Sequence, residues 1–514
     1  MSDLADSLAI HYHQRTKYDP DTLATKHKPI DWAKQPSPFK EYKLGRAVDL
    51  KPYVGVNPVG DRPRDDDPNT LFWLRLSRFL YCCYGITARM ATLAGPPVYL
   101  RAAPSAGGLY PAELYLISSG TSALPAGLYN YQVQTHSLLC FWEKDVSQAL
   151  QRACFFHPAL VATPLTLVAT AIFYRSAWRY DDRAYRRIYL DTGHLLGNIE
   201  LAGAIAGFRP HLIGGFQDEM VNNLLYLDAT EEGATAIIPL LDQDTQPTRS
   251  LQPTALPSAM ATDYTLVPDG ELLGYLHRAT AIASAQPPAS PAPDPSASTV
   301  PDKYNFPFCL KVTTSGSHLG FAEPRREIEQ AILQRRSTRA YTGEELTFAE
   351  LKALLHFTYQ PQDYVDQGLD GAPDYFDLSL LATFIAVSGV EGLEEGCYYY
   401  APHAQELRQI RFKNFRRELH FLCLGQDLGR DAAAVVFHTA DLREAIARYG
   451  DRAYRYLHLD AGHLGQRLNL AAVHLDLGVS GIGGFFDDQV NEVLGIPTDE
   501  AVIYITTLGR PQRA

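Results

Sequence analysis

Apolar positions along the chain recur with two periods. Leu457, Ala461, Leu464, Leu468, Ala471 and Leu475 fall at steps of three and four, which predicts one face of a long helix ended by Gly478. Ile188, Thr192, Leu195, Ile199, Ala202 and Ala206 predict a second such helix, ended by Gly207. A shorter amphipathic helix is expected over "LFWLRLSRFLYCCYGIT", residues 71–87, stopping near Gly85. Runs rich in β-branched residues, "LTLVATAIFY" at 165–174 and "AAAVVFHTA" at 432–440, predict buried strands, and "AVIYITTLGRP" predicts a closing one. An "IGGF" turn follows each long helix, at 213–216 and 482–485. Helices packed on mixed or antiparallel sheets make an α+β fold.

The pattern occurs twice because the sequence does. Residues 180–223 and 449–492 align without a gap at a shift of 269, with 20 of 44 positions identical. The same shift pairs "GLYNYQVQTHSL" (127–138) with "GCYYYAPHAQEL" (396–407), Ser119-Gly120 with Ser388-Gly389, and Ala103-Pro104 with Ala372-Pro373. One fold in tandem is expected, copy one over 71–243 and copy two over 326–514. Residues 1–70 form an N-terminal segment and 244–325 an accessory segment. Within the latter, the Pro/Ala/Ser-rich stretch 280–300 reads as a mobile linker.

Composition narrows the partners. A net charge of −12 argues against nucleic acid or an anionic membrane, both of which need clustered Lys and Arg. No apolar run reaches membrane-spanning length, and the N-terminus lacks the order of a signal peptide. The seven cysteines are odd in number and contain no C-x-x-C, the pattern of buried thiols in a reducing cytoplasm. His11 and His13 stand apart from other ligands, so no metal is expected.

The copies differ in two informative places. Copy two opens with "RRSTRAY", where Arg335, Ser337 and Arg339 alternate and can share one face of an extended segment. Two guanidinium groups and a hydroxyl on one face suit a phosphate. A Thr347-x-x-Glu350 capping box starts the next helix. The nearest match in copy one, "YKLGRAVDLKPY" (42–53), keeps one arginine. Copy one instead holds Pro104-Ser105-Ala106-Gly107-Gly108, small residues that let backbone approach a ligand closely, where copy two has Pro373-Asp374-Tyr375-Phe376-Asp377. Each copy has discarded what the other retains, the pattern expected of one site built between them.

These residues resemble the nitroreductase superfamily. "RRSTRAY" is similar to its flavin-phosphate motif. "RAAPSAGGLYP", "GLYNY", "YGDRAYRYLHLDAGHL", "GIGGFFDD" and the closing "LGRP" resemble the SagB/ThcOx-type dehydrogenases that act on modified ribosomal peptides, above all cyanobactin thiazoline/oxazoline oxidases. The resemblance implies a nitroreductase-like FMN fold in tandem, its copies forming within one chain the two-fold dimer whose interface holds FMN. It implies that Arg335, Ser337, Arg339 and Arg510 hold the phosphate and ribityl chain. It places Gly483 and Gly484 at the N5 edge of the ring, with Pro104, Ser105, Ala106 and Gly107 covering the ring from copy one. The substrate would be a heterocyclised precursor peptide, and pairing with a second chain stays open.

Aromatising a thiazoline removes a proton from the ring carbon beside the peptide carbonyl and a hydride from its neighbour. The family's Lys-Tyr pair is here Arg179-Tyr180 in copy one and Arg448-Tyr449 in copy two. Arginine stays charged and is a poor base, but it can favour the phenolate of an adjacent tyrosine. The resemblance implies that the substrate-facing helix comes from the copy opposite the phosphate motif, here copy one, so Tyr180 is the first candidate for the base and Tyr449 the second. His194 and His463 occupy matched positions in the long helices, which favours a structural role in a chain with one expected site. Two other readings stand beside azoline oxidation: an NAD(P)H-fed nitroreductase or quinone reductase, and a non-catalytic scaffold of a peptide-modifying complex.

Overall fold

The computed structural model describes residues 6–23, 29–54, 67–91, 97–243, 254–289, 299–370 and 373–512. Ala372, and residues 290–298 of the expected linker, lie outside the described residues. The strand-forming runs assemble into two seven-stranded antiparallel sheets. The first runs Arg46–Asp49, Ser137–Trp142, Gly127–Gln132, Ala112–Ser118, Leu165–Ile172, Glu232–Asp242, Phe208–Pro210 from edge to edge. The second runs Lys311–Thr313, Glu406–Arg411, Gly396–Ala401, Leu381–Val387, Ala434–Asp441, Glu500–Gly509, Gly478–Ile482, the same order. Register repeats too: Ala112 faces Ala171 and Leu381 faces Ala440. The irregularity between Ala169 and Thr170 recurs between His438 and Thr439. Arg46–Asp49 thus corresponds in position to Lys311–Thr313, not to the "RRSTR" motif it was matched with in sequence.

The expected helices form, with one end revised. Pro68–Tyr84 is capped by Asp67 and stopped at Gly85. In copy one the long helix Ala184–Ala206 ends on left-handed Gly207. Its twin, Ala453–His474, ends before Gly478, which instead opens a strand. The left-handed turn falls on Asp476 (φ 57°), and Leu477 and Asp476 donate back to Ala472 and Val473 at 2.8 and 3.1 Å. Aspartate tolerates that conformation, so the signal expected of glycine lies two residues away from it.

Both long helices are buried on nearly every side because they pack against each other. At the crossing, a Cβ on Gly193 would lie 2.2 Å from the Leu459 carbonyl oxygen, and one on Gly462 would lie 2.3 Å from that of Leu190. The two contacts are related by the shift of 269, so a pseudo-two-fold axis passes through the crossing. Buried ion pairs repeat across it. Arg183 and Arg186 of copy one bind Asp487 of copy two at 2.8 and 2.6 Å, and Arg452 and Arg455 bind Asp218 at 2.7 and 2.6 Å.

The symmetry reaches beyond residues related by a shift of 269. Helix Leu8–Arg15 hands His13 O to Arg186 (2.8 Å), and helix Leu272–Ala279 hands His277 O to Arg455 (2.9 Å). Asp451 accepts from Ala9 N at 3.1 Å, and Asp182 from Leu273 N at 2.9 Å. Each copy is thus preceded by a helix seated on its own arginine and capped by an aspartate of the other copy. No helix among the described residues is long and apolar enough to cross a membrane.

Candidate active site

One cavity, about 140 Å³, opens in the seam. Copy one lines it with Pro104, Ser105, Ala106 and Gly107 and with the long-helix residues Arg187, Asp191 and His194. Copy two lines it with Ser337, Arg339, Asn469, Ser480, Gly483 and Tyr504, among others. The "RRSTR" segment meets the chain just before "PSAGG": Arg335 donates to the Ala102 carbonyl at 2.9 Å and to that of Arg101 at 3.2 Å.

The copy-one wall is held by the long helix. Asp191 accepts from Ser105 Oγ at 2.6 Å and from Ala106 N at 3.1 Å, and Ser105 Oγ accepts from Tyr110 N at 2.8 Å. Gly107 has φ +66°, and a Cβ there would lie 2.7 Å from the Tyr180 hydroxyl. Glycine is needed both for the turn and for that approach. The copy-two wall is held by strand Gly478–Ile482, where Thr338 and Val479 exchange hydrogen bonds, each of 2.9 Å.

Burial pushes the Asp191 carboxyl up to about 7, against the opposing pull of its hydrogen bonds. A carboxyl raised in the folded state favours folding fully below about pH 4, and that contribution is lost as pH rises to about 7. Asp191→Asn should therefore gain on the parent protein by roughly 2–4 kcal/mol between pH 4 and 8. Denaturant unfolding of both across this range is the check, and a constant difference would show that the carboxyl titrates normally.

The arginines divide by occupation. Arg339 is exposed and has no hydrogen bond or ion pair among the described residues. Arg187 is buried with its Nε unpartnered, and its guanidinium lies 3.6 Å from the Tyr180 ring centre. Arg335 is tied to backbone carbonyls, and Arg510 forms a two-pronged pair with Glu350, 2.8 Å at each prong; neither lines the cavity. Gly483 lines it and Gly484 does not, but the N–H groups of both have no acceptor among the described residues. Sequence reading missed Arg187. Its signal was there: at the shift of 269 it faces Tyr456, a third place where the copies differ in kind.

The equivalent position across the axis is filled. Phe376 replaces Gly107 and Tyr456 replaces Arg187, and the two rings stack at 5.1 Å. Both press on Gly214, the counterpart of Gly483, where a Cβ would lie 2.6 Å from either ring. Asp377 there takes Arg448 at 2.8 Å and the Tyr449 hydroxyl at 2.9 Å. Tyr180, by contrast, has a hydroxyl without a partner among the described residues, and Arg179 beside it is likewise unpaired. Burial and Asp377 raise the Tyr449 phenol well above its usual range.

His194 is held by Gln466 (2.9 Å) and Tyr504 (2.8 Å), and burial lowers it to about 4. His463 pairs with Glu200 at 2.6 Å. Away from the seam, His318, His356 and Asp363 converge. The Nδ1 atoms of the two histidines lie 3.3 Å apart, and Asp363 Oδ2 lies 3.7 Å from that of His356.

A duplicated antiparallel α+β fold with a small-residue, arginine-edged cavity beside its internal axis defines the class. The chain belongs to the nitroreductase family, which it matches over residues 87–240 and 332–510. A crystal structure of a nitroreductase-family protein from Anabaena variabilis is 66% identical, covers 99% of this chain and 100% of that one, and superposes with a TM-score of 0.91. The Methanocaldococcus jannaschii nitroreductase-family protein MJ1384 is 32% identical over 170 residues, 33% of this chain and 85% of that protein. The trifolitoxin-processing protein TfxB of Rhizobium leguminosarum bv. trifolii is 32% identical over 139 residues, 26% of this chain and 37% of that protein.

Proposed function

We propose that this chain is a flavin-dependent dehydrogenase that oxidises thiazoline or oxazoline rings of a ribosomally made peptide, with a single FMN in the seam. The unequal fate of two equivalent positions carries this reading: one is open and lined by both copies, and the other is filled by Phe376 and Tyr456. The similarity to TfxB, named for processing trifolitoxin, supports a peptide-modifying role over general quinone reduction.

The residues present fit a flavin nucleotide. Ser337, exposed Arg339 and buried, incompletely bonded Arg187 offer donors to a phosphate or ribityl chain. Arg335 positions that motif by its grip on the copy-one backbone. Ala106 and Gly107 leave a wall without side-chain bulk, and the Gly483 and Gly484 N–H groups are free to donate. The cavity is smaller than the roughly 300 Å³ lower end of whole-ligand pockets, so it would enclose only part of the nucleotide. When bound, FMN would accept the hydride removed from the azoline ring. Tyr180, with Arg187 across its ring and Arg179 beside it, would take the proton from the carbon next to the peptide carbonyl.

The purified protein should be yellow, with flavin absorbance. Incubation with a thiazoline peptide should remove about 2 Da per ring without any nicotinamide, by the two-hydrogen chemistry. Flavin bleaching by NADPH without mass loss would replace this reading with nitro or quinone reduction. A colourless protein that FMN cannot reconstitute would leave the scaffold.

A further inference from the structure

A second cavity, about 510 Å³, adjoins the seam on the other side of Tyr180. Its walls are the end of the first helix, the strap of residues 29–34, helix Phe173–Tyr180, and Asp269 with Leu272. The strap is fastened: Trp178 Nε1 donates to Asp31 O at 2.9 Å, and Trp32 meets Trp178 edge-on at 5.5 Å. Tyr18, Tyr174, Trp178 and Tyr180 give the space an aromatic lining, to which Ile30 and Leu272 add apolar surface.

Most of the charges lining it are paired or hydrogen-bonded, and the carboxylates Asp181 and Asp182 are among them. Arg15 pairs with Asp269, Lys17 with Asp488, Lys34 with Asp31, and Arg183 with Asp487. Asp182 accepts two backbone N–H groups, from Gly270 at 2.7 Å and Leu273 at 2.9 Å. Arg179 is exposed and has no hydrogen bond or ion pair among the described residues. Its Nη1 and the Tyr180 hydroxyl both lie within 3.5 Å of one point, the place a Cβ on Gly107 would occupy. Gly107 lines the seam cavity, so the free guanidinium and the free phenol share the boundary between the two spaces.

We propose that the 510 Å³ cavity is the substrate cavity, taking a segment with aromatic or apolar surface that carries a carbonyl or carboxylate oxygen bound by Arg179. This rests on the reading of Tyr180 as the base. Breaking the C–H bond beside a carbonyl delivers the proton to the Tyr180 oxygen, which enters as phenolate, and moves the electron pair towards the carbonyl oxygen. A guanidinium donating to that oxygen stabilises the charge as it develops. When bound, FMN would be the oxidant that takes the hydride from the neighbouring carbon, and the ring would gain its second double bond. Arg179 is thereby a catalytic residue acting on the substrate, while Arg187, stacked on the Tyr180 ring, supplies the cation that faces the phenol.

The test uses the full-length holoprotein and 2-phenylthiazole-4-carboxylate, a product-like probe that cannot be oxidised further, with binding followed by calorimetry. The parent protein should bind it. Ala177→Trp, which fills the cavity from its helix wall, should abolish binding. Arg179→Gln should weaken it at least tenfold through loss of a charge-assisted pair. Lys144→Gln, which removes an exposed cation outside both cavities, should change it less than twofold. FMN content should be the same in all four proteins. No binding by the parent protein, or equal binding by Ala177→Trp and Arg179→Gln, would overturn the assignment. Binding that follows the expected order without any azoline turnover would uphold the cavity and remove azoline oxidation. Undiminished azoline oxidation by Ala177→Trp would do the reverse.

Discussion

Alanine at both Gly193 and Gly462 should leave little folded protein at room temperature. Each added Cβ would meet a backbone carbonyl oxygen of the facing helix, at 2.2 and 2.3 Å, and backbone at the centre of a buried helix cannot step aside. The helices would have to separate, and with them the cross-copy pairs of Asp218 and Asp487. Overpacking costs about 1–3 kcal/mol where side chains can adjust. Two backbone clashes at one crossing should cost about 5 kcal/mol or more, against a typical total stability of about 5–15. Helix propensity pulls the other way, since alanine is better than glycine by about 1 kcal/mol, so the sign is diagnostic. Gly274→Ala is the control: that glycine lies in helix Leu272–Ala279 with only Arg278 Nη1 near, at 3.5 Å, and the change should stabilise by up to about 1 kcal/mol. Thermal unfolding followed by circular dichroism reads all three, and a double variant melting like the parent would refute the close crossing.

Tyr180→Phe should leave fold and flavin content unchanged and reduce thiazoline turnover by at least about 100-fold. The substitution removes a single oxygen that has no partner among the described residues, and it keeps the ring against Arg187. Tyr449→Phe is the informative contrast. Its hydroxyl donates to Asp377 in the filled twin, so turnover should hold while stability drops by about 1 kcal/mol. Steady-state kinetics with flavin quantitation separates the outcomes. Full turnover by Tyr180→Phe would place the base elsewhere, and loss of flavin together with turnover would make Tyr180 a structural residue.

Much of the fold is legible in local pattern. Strand Leu165–Ile172 begins with its β-branched run and helix Pro68–Tyr84 stops at Gly85 as expected, because those signals act within a few residues, while Phe173 and Tyr174 of the expected strand open helix Phe173–Tyr180 instead. The asymmetry between "PSAGG" and "PDYFD" pointed to the seam, and the cavity there is lined by Ser105 and Ser337 together. Less legible were the polar positions on the long helices. Arg187, Asp191, Glu200 and Arg467 look like a solvated face in sequence, but they are buried because a second helix covers them. The end of the copy-two helix was misplaced for a related reason: Asp476 adopts a turn that composition alone assigns to glycine.

By itself, the sequence determined the duplication, the α+β elements and the paired loss of small and basic segments. Identity at a fixed shift and periodic burial are properties of the chain read in order. Tertiary structure alone decided which arginines are free. Arg335 and Arg510 are occupied by Ala102 O and Glu350, while Arg179, Arg187 and Arg339 retain unsatisfied donors. A guanidinium is available only if no carbonyl or carboxylate lies within about 3 Å, and partners hundreds of residues away set that condition.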